Sequence, residues 1–136
     1  MATAPRPLQF SCQPCDGLAA AIERHDLPTI EALGTRYVQA LLQSPHGSPP
    51  IDTLVLGCTH YPFAAELLGR LCGPDVTLVD TGVPVARRTR EVLGLPVHSG
   101  APAVPPVLLS SGQPSALADA ARRWLGLGMQ ARALAA

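Results

Sequence analysis

The sequence predicts an α/β fold, a parallel sheet flanked by helices. Three observations carry this reading. Short apolar runs alternate with longer segments of helical periodicity. Turn formers (Gly, Pro, Asp) stand where one kind of segment gives way to the other. The run Ile51-Asp-Thr-Leu-Val-Leu-Gly-Cys-Thr-His-Tyr-Pro-Phe63 ends an apolar strand in a glycine, places reactive side chains on the following turn, and puts Pro62 at a helix start, where a missing N–H is tolerated.

Taken in order, residues 1–7 read as a loose lead and Leu8 to Phe10 as the end of a short strand. Residues 16–25 place Leu18, Ala21 and Ile22 at helical spacing, with Asp16 as the expected cap. A second helix is expected from Pro28 to about Gln43, with Ile30, Leu33, Tyr37, Val38, Leu41 and Leu42 on one face. Residues 44–50 read as a loop. A strand at 52–56, its Leu54 to Leu56 run buried, leads into the Cys58 turn, and a helix follows from Pro62 to about Cys72. Val76 to Val79 is the next strand, and after Asp80-Thr81-Gly82 a helix runs from about Val83 to Leu93. Residues 94–106 form a proline-rich connection. Val107 to Leu109 reads as the final strand and Gln113-Pro-Ser115 precedes a last helix to about Leu125. The Arg132-Ala-Leu-Ala-Ala136 tail has little to hold it, and no internal repeat is evident.

Composition excludes several classes of function. At 136 residues the chain is long enough for one modest domain, and its 47% apolar content suffices for a packed core. Ten arginines and no lysines balance ten acids, so there is no nucleic-acid footprint and no basic patch for a membrane surface. The apolar runs fall short of the roughly 20 residues that cross a bilayer. The start lacks the apolar stretch of a signal peptide, so a cytoplasmic location is expected. Cysteines 12, 15, 58 and 72 are then expected as reduced thiols.

Cys58 reads either as a small buried thiol or as a thiol kept for chemistry; Gly57, Thr59 and His60 beside it are not core-like residues. For Cys58 and His60 to share one face, the turn between them has to be extended. His60 alone would read as a satisfied polar group. Cys12-Gln-Pro-Cys15 fits a redox pair, or two ligands of a zinc site completed by Cys58 and His60, and Cys72 is expected to pack. Asp80-Thr-Gly82 reads as a capped turn or a site loop, and Arg87, Arg88 and Arg90 as a solvated basic helix face.

Gly57-Cys-Thr-His-Tyr-Pro62, preceded by Asp52-Thr-Leu-Val-Leu56, resembles the second cysteine motif of bacterial glutamate racemases. Gln13-Pro-Cys-Asp-Gly-Leu-Ala-Ala-Ala-Ile-Glu23 is similar to the family segment that leads through an apolar helix to an acid bordering the active site. Val79-Asp-Thr-Gly82 and Val85-Ala-Arg-Arg88 resemble the segment that follows the cysteine motif, with Thr81 in place of serine and Asp16 in place of the usual proline. The likeness is to the C-terminal half only. The family's N-terminal Asp-Ser-Gly loop and first catalytic cysteine, in an Ala-Cys-Asn-Thr-like motif, have no counterpart: no cysteine here is followed by asparagine.

The resemblance implies a partial copy of a two-lobed racemase fold. Residues 1–93 would be an α/β lobe, and 94–136 a crossover plus the final strand and helix belonging to the other lobe. It implies interconversion of L- and D-glutamate by cysteine acid/base proton transfer, with no cofactor and no metal, supplying D-glutamate for peptidoglycan and hence cell-wall biogenesis and cell shape. Cys58, His60 and Glu23 would be catalytic, and Gly57 and Thr59 would bind substrate. The partner is then a small molecule, glutamate, with neither nucleic acid nor membrane; uncovered apolar surface would favour self-association. The alternative is a catalytically inactive α/β racemase remnant or a binding module.

Overall fold

A computed structural model describes residues 8–43, 49–96 and 105–134. The chain falls into two units, Met1–Arg87 and Arg88–Ala136.

In the first unit, α1 (Leu18–Arg24) buries Leu18, Ala21 and Ile22, the stripe that helical spacing picks out. Its N-cap is not Asp16. Gly17 holds that position at φ 82, a left-handed conformation cheap only for glycine, and no side chain caps the helix. The Asp16 carbonyl instead accepts the Tyr37 hydroxyl at 2.7 Å. His25, itself left-handed, closes the helix by donating to Ala21 and Ile22 carbonyls. The next residue opens α2 (Leu27–Leu42): Asp26 accepts the Thr29 N–H at 3.2 Å and the Thr29 hydroxyl at 2.7 Å. Those bonds hold the Asp26 carboxyl below its ordinary value. Of the expected face of α2, Ile30 and Val38 are buried while Leu42, in the last turn, is exposed. Gly34 is buried too, because it sits against Leu67, Leu68 and Leu71 of α3 (Ala65–Cys72).

β1 (Thr53–Val55) and β2 (Thr77–Val79) pair in parallel, Thr53 opposite Thr77 and Val55 opposite Val79. A 3₁₀ turn, Tyr61–Ala64, and α3 connect them as a β–α–β unit. The expectation of a buried run from Leu54 to Leu56 fails in the middle. Leu56 is buried, but Val55 is 56% exposed, since alternate side chains point to opposite faces and only one face is covered. Asp80 accepts the Gly82 N–H at 2.8 Å, the capped-turn reading, and α4 (Gly82–Val92) follows with no buried residue.

In the second unit β3 (Leu108–Ser110), α5 (Pro114–Leu125) and β4 (Ala131–Ala133) form another parallel β–α–β unit. Ala118 and Ala121 are its buried helix residues, and Gly126 in the left-handed region ends α5. β4 corrects the reading of Val107 to Leu109 as the last strand and of the tail as unsupported: the Leu134 N–H donates to the Ser110 carbonyl at 2.8 Å. At the other end, Leu8 to Phe10 is not a strand. The 44–48 part of the expected loop and residues 97–104 of the connection lie outside the described residues, as do residues 1–7. No helix among the described residues is long and apolar enough to cross a membrane.

The α2–α3 seam gives a test of packing. A Cβ on Gly34 would meet Leu68 and Leu71 at 3.5 Å, ordinary van der Waals contact. Gly34→Ala should therefore gain most of the helix-propensity difference, about 0.5–1 kcal/mol, in urea denaturation. Leu56→Ala should cost about 2–5 kcal/mol by the same measurement. Destabilisation by Gly34→Ala would mean that the two helices cannot yield at that contact.

Candidate active site

β1 delivers the chain through buried Leu56 and Gly57 to Cys58. There the backbone turns tightly, the Tyr61 N–H donating to the Cys58 carbonyl at 3.3 Å and the Phe63 N–H to the His60 carbonyl at 3.1 Å. His60 sits in the right-handed helical region at φ −85, ψ −31. This overturns the expectation of an extended turn: a compact turn also folds residues 58 and 60 toward each other. The Cys58 Sγ lies 3.7 Å from His60 Nδ1. The opposite ring nitrogen, Nε2, is 2.8 Å from Glu23 Oε1 on α1. Sulfur, imidazole and carboxylate thus stand in series, assembled from residues 37 positions apart in the chain. The array is open to solvent, with the His60 and Glu23 side chains 32% and 64% exposed.

The electrostatics shift Cys58 toward its thiolate and His60 toward its imidazolium. The Cys58 thiol is held below its ordinary value, chiefly because the His60 backbone N–H points at the sulfur; partial burial opposes this, and the imidazole and the Tyr61 N–H reinforce it. The His60 imidazole is pushed up by the Cys58 sulfur and then by Glu23, against some desolvation. The other part-buried thiols go the opposite way. Burial raises Cys15 and Cys72, tempered at Cys15 by a hydrogen bond with the Tyr61 side chain.

Thr59 is exposed, its hydroxyl 3.5 Å from His60 Nδ1. Gly57 is exposed as well, and a Cβ there would meet nothing within 4 Å, so the glycine leaves open space beside the sulfur. Tyr61 was not among the expected site residues. Its hydroxyl is pushed up to about 12 by burial and by the neighbouring Cys15 and Cys58 sulfurs, so it stays a neutral donor at the edge of the site. The signal lay in the motif itself, where Tyr61 directly follows His60. The redox and zinc readings require the Cys12, Cys15 and Cys58 sulfurs to meet. The four cysteines are free, and no group of three His, Cys, Asp or Glu among the described residues could hold a metal ion.

The thiol order is measurable. With iodoacetamide across a pH series, mapped by mass spectrometry, Cys58 should be alkylated at lower pH than Cys15 and Cys72. The signs follow from the shifts. The extra stabilisation of the Cys58 thiolate is lost as pH falls through its lowered pKa. That of the His60 imidazolium is complete below the ordinary 6.5 and is lost as pH rises through its raised pKa. His60→Asn should move the Cys58 midpoint only part of the way up toward 9.0, since the largest contribution, the backbone N–H, survives. Coincident midpoints for the three thiols would overturn this account.

No protein-family model matches the chain. Among curated proteins it is similar to the glutamate racemase of Pseudomonas putida (strain F1), 45% identical over 89 residues, which cover 64% of this chain and 32% of that protein. It is also similar to the glutamate racemase of Pseudomonas paraeruginosa (strain PA7), 39% identical over 109 residues, 80% of this chain and 36% of that one. Among solved structures, glutamate racemase isoform RacE1 from Bacillus anthracis superposes with TM-score 0.64 at 25% identity, covering 91% of this chain and 45% of that chain. The Thermus thermophilus glutamate racemase, solved in complex with β-chloro-D-alanine, superposes with TM-score 0.63 at 27% identity over 90% of this chain and 46% of that one. The chain spans about a third of the length of these curated relatives. It is a homologue of the glutamate racemases, with the α/β fold of about half of a solved racemase chain.

Proposed function

We propose that this chain provides one catalytic face of a glutamate racemase, moving a proton at Cα of L- or D-glutamate without a cofactor. The observation that carries the reading is the Cys58–His60–Glu23 array, at the end of a strand, in a homologue of racemases. Inverting an amino acid at Cα requires removing a weakly acidic proton and returning one to the opposite side. Two groups flanking a fixed substrate do this without turning it over. Cys58, its thiol lowered chiefly by the His60 backbone N–H, takes the proton as thiolate or gives it as thiol on one face. His60 stabilises the sulfur's charge through Nδ1, and Glu23 holds the ring by accepting from Nε2–H. Thr59 offers a hydroxyl and an N–H to a substrate carboxylate, and Gly57 leaves room for it. Residues 1–93 make up the lobe that bears this site and 94–136 contribute to the other lobe, and the protein works in the cytoplasm.

The acid/base group for the opposite face belongs to the part of the racemase fold that this chain does not span. That partial span is also the observation favouring the second reading, an inactive racemase remnant or a binding module. A racemisation assay on L- and D-glutamate, followed by circular dichroism, separates the two. The 136-residue chain alone should be slower than a complete enzyme by about 10²–10⁴ from loss of one of two opposed groups, and further slowed by water in an open site. A longer protein joining this sequence to the remaining racemase portion should racemise both enantiomers with no added cofactor, and Cys58→Ala in it should abolish the activity. Two-way turnover surviving Cys58→Ala would sink the assignment. An inert longer protein that still binds glutamate would establish the second reading.

A further inference from the structure

Residues 57–63, which carry Cys58 and His60, include no buried residue; burial resumes on either side, at Leu56 and Ala64. Packing alone therefore leaves the orientation of the turn open. Two adjacent side chains of the turn reach α1 instead, and they reach its opposite ends. His60 meets Glu23 in the last turn of the helix. Tyr61 hydrogen-bonds through its side chain to Cys15, just ahead of the first turn.

The Cys15 end of this contact is itself tied down. The Tyr61 hydroxyl donates to Cys15 Sγ, whose own S–H donates to the Gln13 carbonyl at 3.3 Å. The Cys15 carbonyl accepts the Leu18 N–H at 3.2 Å, and the Asp16 carbonyl accepts the Tyr37 hydroxyl of α2 at 2.7 Å. The sulfur that receives Tyr61 thus belongs to a segment bonded to both α1 and α2. On the turn, the Tyr61 N–H serves the Cys58 carbonyl and, with the His60 N–H, the Cys58 sulfur. Hydrogen bonds weaken steeply as their angle closes, so a rotation of residues 60 and 61 would take both donors off the sulfur.

We propose that Tyr61 is a positioning residue for proton transfer at Cys58: its hydroxyl, held by the Cys15 sulfur, fixes the turn on α1 and keeps both N–H groups aimed at the Cys58 sulfur. The part in proton transfer rests on the racemase reading; the anchoring of the turn does not. In this role Tyr61 acts through the backbone N–H groups and not on the substrate. It is no base, because a hydroxyl pushed up to about 12 stays protonated.

The test is iodoacetamide alkylation of the 136-residue chain across a pH series, read separately at Cys58 and Cys72. Tyr61→Phe keeps the ring and removes only the hydroxyl. It should move the Cys58 midpoint up toward the ordinary thiol value and slow alkylation below that midpoint by about two- to tenfold, the worth of one hydrogen bond. Cys15→Ala removes the acceptor and should do the same, and the two changes together should shift Cys58 no further than either alone. Cys15→Ser leaves an acceptor and should retain most of the original profile. Cys72, at the C-terminal end of α3, should titrate unchanged in every variant. A Cys58 profile indifferent to Tyr61→Phe, or moved by it but not by Cys15→Ala, would overturn the anchor. So would a Cys72 profile that shifts along with Cys58, which reports general loosening rather than loss of one contact. In the longer racemase protein, Tyr61→Phe should lower kcat by about the same two- to tenfold with KM for glutamate little changed. An inert longer protein, with the alkylation shifts present, would sink the catalytic reading alone. Full turnover in Tyr61→Phe would sink the positioning role alone.

Discussion

Burial of Leu18, Ile22 and Leu56, the largest fully buried side chains, is the constraint on which the site depends. Ile22 immediately precedes Glu23, and Leu56 stands two residues before Cys58. Each such side chain contributes about 1.5–3 kcal/mol by leaving water. An exposed ion pair such as Glu23–His60 contributes about 0–1 kcal/mol. The order of cause follows from those magnitudes. Packing sets α1 and the end of β1 in place, and the 2.8 Å Glu23–His60 bond forms because the packing has already brought its ends together.

Activation of the thiol is more local than the array suggests. The largest influence on Cys58 is a backbone N–H two residues along, supplied by the turn itself, and the imidazole comes after it. A dipole fixed in the backbone needs no reorganisation when charge develops on sulfur. Glu23 acts one step removed, on the ring's orientation and proton, and its reach across 37 residues makes it the part of the site most dependent on the fold. The low-lying Cys58 and the raised Cys15 and Cys72 show the same side chain tuned in both directions by turn geometry and burial.

Helices were the most legible elements. Leu18, Ala21 and Ile22 repeat at helical spacing and all three are buried. Capping was harder to read: Asp16, the expected cap of α1, does not cap it, whereas Asp26, for which no capping role was expected, caps α2 through Thr29. Gly17 took the other position through its access to positive φ. β4 escaped because Ala131-Arg-Ala133 has no β-branched or aromatic residue and is a strand only through pairing with β3. Leu8 to Phe10 misled in the opposite sense, with strand alternation but no strand structure.

By itself the sequence determined the α/β class, the places of the helices and the residue types at the Cys58 turn. These depend on periodicity and on chemistry within a few positions, where the chain's own covalent spacing sets the geometry. Only the tertiary structure decided that Glu23 meets His60, that the turn is tight rather than extended, and that Val55 faces solvent while Leu56 is buried. Each of those turns on which distant segment packs against which face, and side-chain spacing along one strand or helix carries no information about the neighbour across it.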